Sequence, residues 1–157
     1  MKNKIVNRKN ISKLVRILKK QRKRIVFTNG CFDLVHQGHI SYLYKAKKFG
    51  DILIIGVNSD RSVKDLKGKT RPIFKLKDRL AVLNSLEMID YIIVFNDKTP
   101  INIIKIIKPD YHVKGGDYKL NDLPERKIVE SFKGKVKIIP LIKGRSTTSI
   151  INKIKKI

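Results

Sequence analysis

Cysteine, tryptophan and acidic residues are scarce in this chain: its 157 residues include one cysteine, no tryptophan and 13 aspartates and glutamates. Because Cys31 has no second cysteine to pair with, an internal disulfide is excluded, and the sequence is compatible with a reducing cytoplasm. No apolar stretch approaches the ~20 residues that cross a bilayer. The polar, basic residues 1–10 lead into no uninterrupted apolar segment, so no secretory signal is evident. We therefore expect a cytoplasmic protein with no membrane partner.

The shortage of acids leaves a large positive charge, because 37 lysines and arginines stand against 13 acids and give a formal net charge of +24. One interpretation is a polyanionic partner such as nucleic acid or an anionic membrane. The other is a set of cations spread over solvated faces, since the basic residues run from Lys2 to Lys156 without forming one block or an aromatic-interleaved stripe. The second is favoured, so a nucleic-acid-binding module is a distant alternative. In either case a positive field would help to gather phosphorylated substrates.

The order of apolar segments predicts the fold. The length fits one domain, 1–157, with an amphipathic helix in residues 1–22 and a catalytic core in 24–154. The predicted strands are near residues 24–28, 51–57, 91–95, 111–113 and 135–140. The predicted helices are near residues 11–20, 38–49, 61–66, 76–86, 100–107, 124–132 and from 147 onwards.

These strands are apolar throughout, and they alternate with helices, which is typical of a parallel sheet covered on both faces. We therefore predict an α/β fold with a doubly wound, Rossmann-like, five-stranded parallel sheet. Ligands in such folds bind at the carboxyl ends of the strands. The loops after strands one, two, four and five are expected to share one cleft.

The most informative segment is 28–39, which reads Thr-Asn-Gly-Cys-Phe-Asp-Leu-Val-His-Gln-Gly-His. It runs from a predicted core strand into the start of a helix, where unpaired amides and the helix dipole favour phosphate. Gly30 and Gly38 would let the backbone approach a ligand closely. His36 and His39 lie three residues apart, so both can face the same anion. The His-x-Gly-His pattern should arise by chance in under ~1% of chains this long.

This segment resembles the signature of the cytidylyltransferase-like nucleotidyltransferases. Segments 57–60, 66–72, 114–118 and 144–148 extend the resemblance, which covers residues 24–154. The Leu-Lys-Gly…Arg-Pro and Lys-Gly-Gly-Asp-Tyr runs are most similar to the adenylyltransferases that make ADP-heptose from D-glycero-β-D-manno-heptose 1-phosphate. The resemblance implies that the adenylyl group of ATP passes to a sugar 1-phosphate, with release of pyrophosphate, in a pathway that feeds lipopolysaccharide core synthesis.

The resemblance also implies roles for individual residues. The sugar phosphate oxygen is expected to attack the α-phosphorus in line, without a covalent enzyme intermediate, so catalysis amounts to positioning and charge stabilisation. The expected catalytic residues are His36, His39, Lys67 and Arg71. The expected nucleotide-binding residues are Thr28, Asn29, Gly30, Phe32, Asp33, Gly38, Asp117, Ser146, Thr147 and Thr148. The expected substrate-binding residues are Asp60, Arg79 and Lys114.

Structural alternatives stand beside several of these roles. The arginines and lysines could be solvated surface charges, and the hydroxyls at 146–148 could be ordinary helix caps. Asp117 could form a turn, and Asp33 and Asp60 could orient a loop or the shell of a metal. Mg²⁺ is expected with the triphosphate, although no metal site built by the protein alone is evident. Cys31 has no expected nucleophilic role.

Residues 141–145 depart from the pattern of a neighbouring branch. Glycerol-phosphate cytidylyltransferases show Arg-Thr-Glu-Gly-Ile where this chain has Leu-Ile-Lys-Gly-Arg. The missing first arginine argues against that branch, so CTP:glycerol-3-phosphate cytidylyltransfer is the alternative activity. Lys143 also replaces an acid that is common in the heptose branch. Because the related unit is often fused to a sugar kinase that this chain lacks, we expect a separate kinase to supply the substrate, and we leave a homo-oligomer open.

Overall fold

A computed structural model describes residues 3–116, 122–140 and 146–157. Five strands form one parallel sheet in the order β3-β2-β1-β4-β5. The strands are β1 Ile25–Gly30, β2 Ile52–Asn58, β3 Tyr91–Phe95, β4 Tyr111–Gly115 and β5 Lys135–Ile139. The helices are α1 Arg8–Lys20, α2 Gln37–Lys47, α3 Asp60–Lys67, α4 Leu76–Ser85, α5 Ile101–Ile107, α6 Arg126–Ser131 and α7 Thr147–Ile154. The predicted doubly wound α/β sheet is confirmed.

Two apolar cores cover the two faces of the sheet. Successive strand residues point to opposite faces, so Phe27 and Ile54 enter one core while Val26 and Leu53 enter the other. The first core packs against α1, α5 and α6, and the second packs against α2 and α4. Because both faces are covered, the strands have to be apolar throughout, which is why the sequence shows continuous apolar runs.

The N-terminal segment differs from the predicted helix over residues 1–22. Val6 donates its amide to the Ile92 carbonyl (2.8 Å), and Ile92 donates to the Lys4 carbonyl (2.9 Å), so this segment covers the outer edge of β3. An exposed strand edge carries unpaired amides and carbonyls that favour such pairing. The helix itself starts at Arg8, three residues before the predicted 11–20, and its N-cap is Asn7, whose side chain accepts the Asn10 amide at 2.9 Å.

Strands β1 and β4 separate at their carboxyl ends. Their backbone pairing ends at Phe27 and His112, although the strands continue to Gly30 and Gly115. In the gap, the Tyr42 hydroxyl of α2 donates to the Val113 carbonyl (2.9 Å) and hydrogen-bonds with the Thr28 hydroxyl (2.7 Å). The chain order reverses at this pair of strands, so the gap opens where doubly wound folds bind ligands.

Within the described residues, no helix has both the length and the apolar character that crossing a bilayer would demand. The cytoplasmic location expected from the sequence stays a prediction.

Gly56, in the centre of β2, provides a test of the packing between the strands and the first core. A Cβ at this position would lie 2.9 Å from Phe27 Cζ and 3.2 Å from Phe95 Cε1. Because these rings are buried, we expect Gly56→Ala to lower the free energy of unfolding by about 1–3 kcal/mol. Urea unfolding measures the change, with Lys64→Ala on the exposed side of α3 as control. A loss under about 0.5 kcal/mol, the size expected of a surface substitution, would contradict the packing described.

Candidate active site

A cleft of about 510 Å³ opens at the carboxyl edge of the sheet, within the size range of small-molecule sites. The predicted convergence of the loops after β1, β2, β4 and β5 is confirmed, and the loop after β3 joins them through residues 98–100. The predicted residues that line the cleft are Asn29, Gly30, Phe32, Asp33, His36, Gly38, His39, Lys67, Arg71, Lys114, Ser146, Thr147 and Thr148.

His36 and His39 form the centre of this cleft, with ring centroids 4.1 Å apart. His36 is the N-cap of α2, and its Nδ1 accepts the Gly38 amide at 3.1 Å. The Nδ1 of His39 accepts the amide of His36 over a longer contact of 3.4 Å. A neutral imidazole carries its proton on one nitrogen only, so these contacts assign the proton of each neutral ring to Nε2. Both rings then offer an Nε2–H donor.

The electrostatic surroundings keep His39 neutral. Burial disfavours the charged ring, the neighbouring His36 adds to this effect, and together they lower the pKa of His39 from 6.5 to about 4. Its ring also contacts Phe32, with centroids 5.7 Å apart. At neutral pH the His39 ring can therefore act as a hydrogen-bond donor to a ligand without carrying a net charge.

The loop between β1 and α2 is held in a backbone conformation that the sequence did not reveal. Phe32 and Leu34 both have positive φ angles, of 49° and 51°. This region costs a residue with a side chain roughly 1–2 kcal/mol. The Phe32 ring is 5% exposed and packs in the second core, which offsets that cost. The tight loop joins the end of β1, where Asn29 and Gly30 line the cleft, to His36 at the start of α2.

The buried carboxylate of Asp33 holds the basic loop after α3 against the loop between β1 and α2. It accepts hydrogen bonds from Arg71 Nε (2.7 Å) and from the amides of Ile73 (2.9 Å) and Phe74 (3.0 Å). Burial alone would raise the pKa of Asp33, but the two amides and Arg71 outweigh burial and hold the pKa below its usual value. Asp33 is therefore ionised and serves as a structural acceptor, one of the two roles that the sequence left open.

Two cationic side chains, Lys67 and Arg71, border the cleft in different ways. The Arg71 side chain is 15% exposed and, among the described residues, its guanidinium is bonded only through Nε to Asp33. The Nη groups of a guanidinium can donate two parallel hydrogen bonds to one phosphate. Lys67, the last residue of α3, is exposed and lines the cleft. Lys67 can thus move toward a ligand, whereas Arg71 is already fixed.

The N-terminus of α7 forms another part of the cleft wall. The Ser146 hydroxyl accepts the Ser149 amide (3.0 Å), which is the capping role that the sequence offered as an alternative. The Thr147 hydroxyl donates to the Asp33 carbonyl (2.8 Å), and Thr148 lines the cleft with exposed side-chain surface. The start of this helix therefore borders the same cleft as the histidines and adds its dipole and amides to it.

Three predicted residues lie outside the cleft lining. The Thr28 side chain is fully buried and bonded to Tyr42. The guanidinium of Arg79, 1% exposed, donates to the carbonyls of Cys31 and Asn58 and to Asp60 Oδ1 (2.9 Å). Arg79 thus ties α4 to the ends of β1 and β2, and Asp60 neutralises its charge. All three residues lie outside the cleft lining and bond to other protein groups, and the ligand contacts predicted for them stay predictions.

Two sequence predictions lie outside the described residues: the ligand contact of Asp117, and the departures at 141–145. The sequence analysis in turn missed Tyr42 and Glu125, which line the cleft. Tyr42 follows His39 by three residues on α2, so helical spacing could have placed it on the same face. No local pattern identifies Glu125, which reaches the site only through the folded chain.

The described residues contain no cluster of three or more histidine, cysteine or acidic side chains that could hold a metal ion. The two carboxylates that line the cleft, Asp33 and Glu125, already accept hydrogen bonds from protein donors. These residues do not build a Mg²⁺ site. Burial raises the pKa of the Cys31 thiol, so the cleft contains no activated thiolate at this position.

Comparison with known proteins assigns this arrangement to a family. Residues 27–153 match the family model described as Cytidylyltransferase-like. The chain belongs to the cytidylyltransferase-like family. This family of nucleotidyltransferases is the one that the His-x-Gly-His segment resembles, so the predicted family is confirmed.

Relatives within the cytidylyltransferase-like family include much longer proteins. The chain is 49% identical over 94% of its length to the "Bifunctional protein HldE" of Geobacter sulfurreducens, of which it covers 31%. It is 54% identical over 85% of its length to the protein of the same name from Campylobacter fetus, of which it covers 28%. The chain thus spans about a third of the length of the curated relatives it matches.

Solved structures agree with the cytidylyltransferase-like fold. A lipopolysaccharide core biosynthesis protein from Thermoplasma volcanium is 32% identical, with a TM-score of 0.63, over 77% of this chain and 98% of that one. Pantoate-beta-alanine ligase from Francisella tularensis is 20% identical, with a TM-score of 0.60, over 98% of this chain and 78% of that one, and shows similarity of fold alone.

The role of Asp33 can be tested by Asp33→Asn. The amide offers one acceptor oxygen where three donors meet, so we expect the free energy of unfolding to fall by about 1–3 kcal/mol at neutral pH. The folded-state pKa of Asp33 lies below its unfolded value, so the stabilisation by the carboxylate is present above the unfolded pKa and is lost as pH falls through the folded value. The difference between wild type and variant should therefore shrink below about pH 4.

Urea unfolding at about pH 7, 5 and 3 measures this difference. Asp65→Asn, on the exposed side of α3, is the control and should have an effect within about 0.5 kcal/mol. A loss of equal size at all three pH values would show that the charge of Asp33 is not what stabilises the loop.

Proposed function

We propose that the chain transfers the adenylyl group of ATP to D-glycero-β-D-manno-heptose 1-phosphate and releases pyrophosphate. The observation that carries this proposal is the pair of imidazoles 4.1 Å apart at the start of α2. They share one cleft with Lys67, Arg71 and the N-terminus of α7, so donors surround the space from several sides. Such a site suits a polyphosphate better than any uncharged ligand.

The choice of acceptor is supported by sequence similarity. The runs at 66–72 and 114–118 resemble the heptose branch of the family, and the Thermoplasma volcanium neighbour is described as a lipopolysaccharide core biosynthesis protein. The acceptor's phosphate must come from a phosphorylating enzyme, so we propose a sugar kinase as the upstream partner. The relatives' description as bifunctional is consistent with a second activity of that kind.

The reaction is a direct displacement at phosphorus. An oxygen of the sugar phosphate forms a bond to the α-phosphorus while the bond from that phosphorus to the pyrophosphate oxygen breaks, and the electron pair leaves with pyrophosphate. The Nε2–H groups of His36 and His39 donate to phosphate oxygens as charge shifts between them. Arg71 and Lys67 stabilise the anion, and the amides at the start of α7 hold the leaving group. We propose that Mg²⁺ arrives bound to the triphosphate, since the lining carboxylates are already engaged.

The nucleotide and acceptor can be identified by pyrophosphate release. ATP with heptose 1-phosphate should give the fastest reaction, and CTP should give little with any sugar phosphate. Four nucleotides tested against several sugar phosphates, including glycerol 3-phosphate, cover both the proposal and its alternative. The alternative is cytidylyl transfer to glycerol 3-phosphate. Faster release with CTP and glycerol 3-phosphate would replace our proposal with that activity.

The contribution of the histidine pair is tested by His36→Ala. Removing a preorganised donor from the phosphate site should lower turnover by about 100-fold or more. The fold should stay intact, because the ring packs in the cleft and not in either core. Steady-state pyrophosphate release and thermal melting measure the two effects. Lys13→Ala, on the exposed side of α1, removes a basic side chain elsewhere and is the control; near wild-type turnover of His36→Ala would remove this ring from the mechanism.

A further inference from the structure

Three ionisable side chains form a buried group in the wall of the cleft beside β4: Lys114, Glu125 and His112. Glu125 Oε1 lies 3.0 Å from Lys114 Nζ and 3.2 Å from His112 Nε2. Lys114 is 6% exposed, Glu125 is 2% exposed and His112 is fully buried. Such groups are rarely buried unless they are paired, and none of the roles above uses Glu125 or His112.

Glu125 is directed toward Lys114 and away from the helix that it precedes. It is the N-cap of α6, but its side chain makes no capping hydrogen bond. Burial alone would raise the pKa of Glu125, yet the hydrogen bond from His112 and the Lys114 ammonium outweigh burial and lower the pKa to about 2. The carboxylate is therefore ionised and accepts from both neighbours at neutral pH.

His112 fixes the carboxylate from the core side. Burial lowers the pKa of His112, so its ring is neutral and its Nε2–H donates to Glu125. The ring is stacked on Phe27, with centroids 5.6 Å apart and an interplanar angle of 21°. His112 is also where the pairing of β1 and β4 ends. The position of Glu125 is thus set by the first core and by the sheet.

Lys114 connects this pair to the end of β1. Its ammonium donates to Asn29 Oδ1 at 3.1 Å, across the gap between β4 and β1, and the residue lines the cleft. A lysine side chain is long and flexible and loses much rotamer freedom when it is held in one place. The contact with Glu125 holds the ammonium at the loop that also positions His36 and His39.

We propose that Glu125, supported by His112, is a positioning residue that holds the Lys114 ammonium where a phosphate of ATP enters the cleft. The pair has no net charge, so it offers a donor of fixed position and not an added positive field. This inference rests on the proposed function for the identity of the anion. It also moves Lys114 from the substrate-binding residues predicted from the sequence to the nucleotide-binding ones.

A double-mutant cycle on ATP binding tests this role. The variants are Glu125→Gln, Lys114→Met and the two combined, and isothermal titration with ATP measures affinity without requiring transfer. Each single variant should bind ATP about 10-fold or more weakly, which is the size of one charge-assisted hydrogen bond. The double variant should bind no more weakly than Lys114→Met alone, because Glu125 acts through Lys114.

If the ion pair has only a structural role, the double variant is expected to bind ATP as the wild type does. Removing both charges together would then restore stability and wild-type affinity, since a buried pair is often replaceable by neutral groups. Wild-type affinity in the double variant, or in a folded Glu125→Gln, would overturn the proposal. If Glu125→Gln does not fold, Glu125→Asp takes its place: it keeps the charge but withdraws the carboxylate, so weaker ATP binding supports the proposal and unchanged binding overturns it.

Two controls separate this inference from the proposed function. Glu130→Gln makes the same substitution on α6 at an exposed ion pair with Arg126 and should leave ATP affinity unchanged. Transfer to heptose 1-phosphate is assayed with the wild type in parallel. Absence of transfer with normal ATP binding would refute the acceptor and leave the role of Glu125 intact. Normal transfer with unchanged ATP affinity in the folded variants would refute the role of Glu125 alone.

Discussion

The Asp33 carboxylate joins loops that come from distant parts of the chain. Its two oxygens accept three hydrogen bonds from the segment 71–74 that follows β2, and its carbonyl accepts the Thr147 hydroxyl at the start of α7. Three walls of the cleft therefore meet at one buried residue. The positions of the histidines, of Arg71 and of the α7 amides relative to one another depend on this junction, because no backbone hydrogen bond among the described residues connects these loops directly.

The cleft contains two kinds of hydrogen-bond donor, neutral imidazole and cationic side chains. His39 stays uncharged at neutral pH, so two imidazoles can lie 4.1 Å apart without the repulsion of two cations. Positive charge comes instead from the basic side chains among the described residues that line the cleft: Lys67, Arg71, Lys98 and Lys114. Most of the 37 lysines and arginines do not line the cleft, and the buried guanidinium of Arg79 is bonded to two carbonyls and to Asp60.

The sequence predicted the features that depend on local spacing. Continuous apolar runs predicted strands that are covered on both faces, and the His-x-Gly-His spacing predicted two neighbouring rings. Each of these patterns lies within one element or one turn. It could not predict features set by contacts between distant residues. The burial of Arg79 depends on strand ends 21 and 48 positions away. The pairing of the N-terminal segment with β3 depends on an unoccupied sheet edge.

The gap between β1 and β4 has a consequence for how the site responds to a ligand. The Tyr42 hydroxyl occupies that gap, and Tyr42 and His39 are less than one turn apart on the same helix. An α-helix transmits displacement along its length as a stiff body, so a change in strand separation would tilt the imidazoles. The separation of β1 and β4 at the cleft and the orientation of the two imidazoles are therefore mechanically coupled.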